Sequence, residues 1–253
     1  MILLNKRIFL FLTLLLFSCA IKRDLAGQDE SFKIINQSVR GLENLSDGQK
    51  DSLYYLISHF KKYFDRFDLQ ETKYQKYLAE KKLPVFITHG LLIQILSPTQ
   101  KLTDIPELIH LKGKKLYEVY GDDYQNDKRT MDELTGEGSH RFIAIRADQI
   151  PDKIHGQQNT LFHEFGHLLH QTAFQESQIK KLESLYLNAK NKNLFYDDYA
   201  GSNSTEYFAC SFEAYLSETK TDKSRRPYAE EKIDLQLRDP EMFEFITNIV
   251  HYK

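Results

Sequence analysis

The chain is short of every residue type that would point to an unusual architecture. Its 253 residues include only 2 Cys, 6 Pro and 11 Gly. Two cysteines, Cys19 and Cys210, cannot build a disulfide framework, so stability has to come from a packed core and any bound metal. Neither charge is in excess: 34 Lys and Arg stand against 36 Asp and Glu, and nothing in that balance asks for nucleic acid or an anionic membrane surface as partner. Long apolar runs are absent beyond the first twenty residues. What is abundant is aromatic, 15 Tyr and 17 Phe, enough apolar area to exclude a disordered or collagen-like chain. The length suits one domain or a small pair.

The N-terminus reads as an export signal. Lys6-Arg7 precede an apolar stretch from Ile8 to Phe17, interrupted only by Thr13. Ten residues span about 15 Å of helix, roughly half of a hydrocarbon core, so a signal fits better than a membrane anchor. Leu16-Phe17-Ser18-Cys19 resembles the lipobox of bacterial lipoproteins, with Phe17 bulkier than usual at its place. The resemblance implies cleavage after Ser18, a lipid on Cys19, and an extracytoplasmic, membrane-anchored protein, or a secreted one without the lipid. Lipidation would leave Cys210 as a single thiol with no disulfide to form.

Residues 19–45 are polar and mixed, and read as a tether. Ser46 and Gln49 form a capping box for a helix carrying Leu53, Leu56, Ile57, Phe60, Phe64 and Phe67 at helical spacing. Gln70–Lys82 reads as a second, more polar helix, and Val85–Thr88 as a strand. Leu91–Leu96 is ambiguous between strand and buried helix. Strands are expected at Leu116–Tyr120 and Phe142–Ile145, and helices over 159–173, 176–190, 204–219 and 240–251. Asp239-Pro240 marks the start of the last one, an N-cap acid followed by proline. Helices, a few strands, then helices make the class α+β.

The strongest motif is His163-Glu164-Phe165-Gly166-His167. Residues four apart lie about 40° apart around a helix and ~6 Å along it, so both imidazoles project toward one point. Glu164 sits on the neighbouring edge, placed to polarise a water without binding the ion. With nine histidines and eighteen glutamates in the chain, chance would give the pattern on the order of 0.02 times. The expectation is zinc, which needs a third protein ligand in a catalytic site. Glu176 and Glu183 lie too far along or beyond the same helix. Gly201-Ser202-Asn203 turns the chain back, and Glu206 follows in the first turn of the next helix; Glu213, seven residues later, remains a rival. His170, one turn after His167, fits no zinc spacing. Asp197 and Asp198 read as turn acids, and Asp122, Asp123 and Asp127 lack the alternation of a calcium loop.

Together these residues resemble the catalytic domain of anthrax toxin lethal factor and its relatives, the secreted Pro-Pro endopeptidases. These are gluzincins, zinc peptidases whose third ligand is a glutamate. The matching positions are His163-Glu164-Phe165-Gly166-His167, Tyr199 seven residues before the glutamate, and Glu206-Tyr207-Phe208-Ala209. Thr130–Gly138 resembles, more loosely, a glycine-rich segment ahead of the active-site helix. One departure is Cys210, where the family often carries a second acid, and Glu213 could take over its support.

The resemblance implies a gluzincin-type fold, a small sheet with an active-site helix and a helical C-terminal half. It implies His163, His167 and Glu206 as zinc ligands, Glu164 as general base, and Tyr199 as the donor to the oxyanion. The domain would run over 46–253, with a helical part 46–82 and a catalytic part 83–253, and would hydrolyse internal bonds of a protein or peptide. Phe142, Ile143, Ala144 and Ile145 are expected to form the edge strand that binds substrate, with the loop Asp122–His140 overhanging the cleft. The alternative is a zinc-binding surface lipoprotein without turnover.

Overall fold

The computed structural model describes residues 38–64, 92–106, 108–125, 127–139, 142–151, 160–217 and 231–251. The signal segment, Cys19, and the helix and strand expected at 70–82 and 85–88 lie outside them. The first helix, α1 (Asp47–Phe64), follows a two-residue strand, β1 (Val39–Arg40). Its capping box forms as expected: the Gln49 amide N–H donates to Ser46 Oγ at 3.2 Å and the Ser46 N–H to Gln49 Oε1 at 2.9 Å. Leu53, Leu56, Ile57 and Phe60 are wholly buried along one stripe.

Leu92–Leu96 is a strand, β2, which settles the ambiguous segment. It pairs in parallel with β1 and with β4 (Phe142–Arg146), and β3 (Gly136–Ser139) closes the four-stranded sheet as an antiparallel edge, in the order β1-β2-β4-β3. One face of this sheet, through Ile93, Ile95, Ile143 and Ile145, enters the main core, while Phe142 and Ala144 pack with Leu96, Leu102, Ile105 and Leu108 on the other.

This arrangement corrects two expectations. Phe142, Ile143, Ala144 and Ile145 do not form the edge strand. Their backbone is engaged by β2 on one side and β3 on the other, and their side chains are at most 3% exposed. A strand buried on both faces is continuously apolar, as this one is, whereas an edge strand has no such requirement. Second, Leu116–Tyr120 is not a strand but one turn of helix, α2. The Lys115 N–H donates to Glu118 Oε2 at 2.6 Å, and Gly121, at φ 90°, stops the turn where a side chain would be strained.

The C-terminal half is helical as expected: α3 (Thr160–Thr172), α4 (Glu176–Lys192), α5 (Ser204–Leu216), α6 (Lys232–Arg238) and α7 (Pro240–Val250). Of these, α6 has no counterpart in the sequence reading. Asp239 caps α7, accepting from the Met242 N–H at 3.1 Å, and also accepts from the Tyr207 hydroxyl of α5. Among the described residues no helix is long and apolar enough to cross a membrane.

Two glycine contacts set the spacing around α3. A Cβ on Gly166 would lie 2.9 Å from Ala209 Cα, so α3 and α5 touch backbone to backbone there. A Cβ on Gly138 would lie 2.2 Å from the Glu164 carbonyl oxygen, so β3 lies directly on α3. Gly138→Ala is therefore expected to lower stability by about 1–3 kcal/mol through overpacking against backbone. Gly113→Ala, at φ 75° with open space around it, should cost only the left-handed strain of about 1–2 kcal/mol. Urea unfolding of both variants, together with hydrogen exchange of β3 amides, checks the distinction: only Gly138→Ala should loosen β3.

Candidate metal centre

Helix α3 presents His163 and His167 from its buried side, 7% and 8% exposed. Their Nε2 atoms face each other at 3.0 Å, with the rings nearly perpendicular at 83°. Across the α3–α5 contact, Glu206 brings Oε2 to 3.2 Å from His163 Nε2 and 3.3 Å from His167 Nε2. The helix start places it there. Asn203 caps α5, its Oδ1 accepting from the Thr205 N–H at 3.0 Å and the Glu206 N–H at 2.9 Å.

The three donor atoms fit a metal ion by an internal test. Glu206 Oε2 is buried and makes no hydrogen bond, despite its closeness to both imidazoles. Three acceptor-type atoms aimed at one another, one of them orphaned, are costly unless a cation sits among them. A tetrahedral zinc with nitrogen and oxygen bonds near 2.0–2.1 Å has ligand-to-ligand edges of about 3.3 Å, close to the spacing found. Among the described residues, His163, His167 and Glu206 form the one group of this kind. Burial alone would raise the Glu206 carboxyl, but the two imidazoles outweigh it and hold the group well below the usual carboxylate range.

Glu164 lies beside this triangle, 6% exposed, in a space left by a missing side chain: a Cβ on Gly136 would meet its Oε1 at 2.4 Å. Burial raises its carboxyl to about 7, against the pull of His163 and His167. The Tyr199 ring stacks on His163, centroids 6.0 Å apart at 29°. Although the residue is 43% exposed, desolvation of the phenol and then Glu206 hold its hydroxyl in the protonated form. Its turn is fixed by Asp197, which accepts from the Ala200 N–H at 2.7 Å, and by the Tyr186 hydroxyl, which donates to the Gly201 carbonyl at 2.9 Å.

Other residues fall into place around the cluster. His170 lies outside it, edge-on to Phe174, and burial lowers its imidazole to about 4. Glu213 is not at the Nε2 side but behind His163, with Oε2 3.7 Å from Nδ1. Sequence reasoning singled out the loop Asp122–His140 and the segment Thr130–Gly138, which contain Tyr124 and Glu137, but gave no role to either residue or to Tyr120. Tyr124 donates to Glu206 Oε1 at 2.6 Å, and Tyr120 donates to the carboxylate of Glu137 on β3.

Residues 50–249 match the family described as anthrax toxin lethal factor, N- and C-terminal domain. Among solved structures, the chain is similar to that of the Pro-Pro endopeptidase from Paenibacillus alvei. The two share 23% identity over 63% of this chain and 77% of that one, with a TM-score of 0.42. No curated protein matches the chain.

The back of His163 carries the departure noted at Cys210. Its Sγ lies 3.8 Å from His163 Nδ1, and the small thiol leaves room for Glu213 to approach the same nitrogen. Burial pushes the thiol up, so it stays neutral, and the acid that can support the imidazole is Glu213. Glu213→Ala is expected to weaken zinc binding about 10–100-fold, and Cys210→Ser to change it far less. Chelator competition on each purified variant provides the comparison.

Proposed function

The chain belongs to the anthrax toxin lethal factor family, and from that premise we propose that it is a zinc metalloendopeptidase, cutting internal bonds of a protein or peptide. The observation that carries the proposal is the convergence of His163, His167 and Glu206 with Glu164 at their side. His163, His167 and Glu206 would hold the ion. When bound, zinc supplies Lewis-acid chemistry, polarising the scissile carbonyl and making water a competent nucleophile near neutral pH.

The remaining work falls to the protein's own groups. Glu164 takes the proton from the attacking water and returns it to the leaving amine as the C–N bond breaks. The Tyr199 hydroxyl, on the open side of His163, donates to the oxygen that gains charge. An extended peptide would add to the free side of β3, the edge strand, with main-chain hydrogen bonds. This role passes to Gly136–Ser139 from the interior strand Phe142–Arg146. The segment holding Tyr120 and Tyr124 would form the overhanging wall of the cleft.

Anchoring belongs to the same proposal and draws on the sequence alone. Cys19 would carry a lipid that fixes the domain outside the cytoplasm, with the residues up to β1 as tether; Val39 and Leu45, expected within the tether, instead lie in the domain's core. Metabolic labelling with a fatty acid should mark the wild type and not Cys19→Ser, which should leave the membrane fraction.

For turnover, the test is a peptide library digested by the purified protein and read by mass spectrometry, with zinc measured in parallel. Glu164→Gln should keep one zinc per chain and lose cleavage by about 10²–10⁴-fold, and Tyr199→Phe should lower kcat about 100-fold with KM little changed. A wild type that binds zinc yet cleaves no better than Glu164→Gln would instead identify a binding lipoprotein.

A further inference from the structure

The metal-facing triangle uses only one oxygen of Glu206; the other is held by a residue far away in sequence. Tyr124 Oη donates to Oε1 at 2.6 Å across 82 residues. The helix that carries Glu206 is itself fixed at its start, where Asn203 Oδ1 caps it.

A carboxylate free at both oxygens can present either one, or both, to a cation. With Oε1 engaged by a phenol and Oε2 left without a partner, Oε2 is the oxygen turned to the two imidazoles. From this hydrogen bond we infer that Tyr124 is a positioning residue that fixes Glu206 as a one-oxygen ligand and ties segment 116–125 to the metal centre. The inference rests on the metallopeptidase reading for the identity of the ion. Tyr120, although its ring packs 5.2 Å from that of Tyr124, donates its hydroxyl to Glu137 instead.

The test compares Tyr124→Phe and Tyr120→Phe with wild type in the whole purified chain. Phenylalanine keeps each ring and its packing, so the two phenol deletions are matched in every respect but the carboxylate they release. Two readouts apply: zinc affinity by competition with a chromophoric chelator, and the visible absorption of the cobalt(II)-substituted protein, which reports coordination number. Tyr124→Phe is expected to weaken zinc about tenfold and to reduce the intensity of the cobalt bands as a second oxygen joins. Tyr120→Phe should match wild type in both. Wild-type affinity and an unaltered cobalt spectrum in Tyr124→Phe would overturn the inference while leaving the peptidase reading intact. A wild type that takes up neither metal would overturn both.

Discussion

Everything at the candidate centre depends on how closely two helices can approach. Helix α3 supplies two imidazoles and α5 supplies one carboxylate, and side chains of that length can meet only if the backbones nearly touch. Gly166 and Ala209 are the pair that permits it, since a methyl group on Gly166 would already sit 2.9 Å from Ala209 Cα. Glycine inside a helix costs about 1 kcal/mol relative to alanine, so its presence between the two histidines reflects packing and not helix formation. The aromatic residues Phe165, Phe208 and Phe212, all wholly buried, fill the space on either side and keep the two axes from sliding. On the opposite side of α3, β3 approaches as closely through Gly136 and Gly138. The active-site helix is thereby gripped from two directions by residues that have no side chains to spare.

That tight enclosure also sorts the charges. Of the three carboxylates that lie close together here, Glu137 is raised by burial, and the other two are driven apart by their surroundings. Glu206, between the imidazoles, is held ionised, while Glu164, buried beside Gly136, is lifted to about 7. Carboxyl groups pushed in opposite directions mark a division between holding a charge and moving a proton. A bound cation would draw Glu164 downward from that value, toward the base form that proton abstraction needs.

The parts legible in the sequence were those set by local rules. The four-residue step from His163 to His167 follows from helical geometry, and the Ser46–Gln49 and Asp239–Pro240 starts follow from capping. Glu206 was legible because Gly201-Ser202-Asn203 turns the chain immediately before it. What escaped was set by distant partners. Gly136-Glu137-Gly138-Ser139 has almost no strand propensity; it is paired with β4, and glycine at 136 and 138 lets it lie against α3. Conversely, Phe142–Ile145 looked like the functional strand, yet its unbroken apolar run is the mark of burial on both faces. Leu116–Tyr120 reads as alternating, but capping by Glu118 and the stop at Gly121 wind it into a turn. Tyr124 could not be singled out from 15 tyrosines, since its partner lies 82 residues away.

The same irregular stretch therefore reaches both β3 and α5. Through Tyr120 it holds Glu137 on the edge strand, and through Tyr124 it holds Glu206 on α5. Segments with few buried apolar contacts open easily, and this one has Leu116 and Met131 as its buried apolar anchors next to several exposed residues. Its order comes from backbone bonds of Leu116 to Arg129 and of Met131 to Lys114, from the two phenol–carboxylate bonds, and from Asp132, which accepts from Thr103 Oγ1 and from the Gly113 N–H. Charge-assisted hydrogen bonds of this kind are about twice as strong as neutral ones, so two of them can set the position of a short segment that packing alone leaves loose.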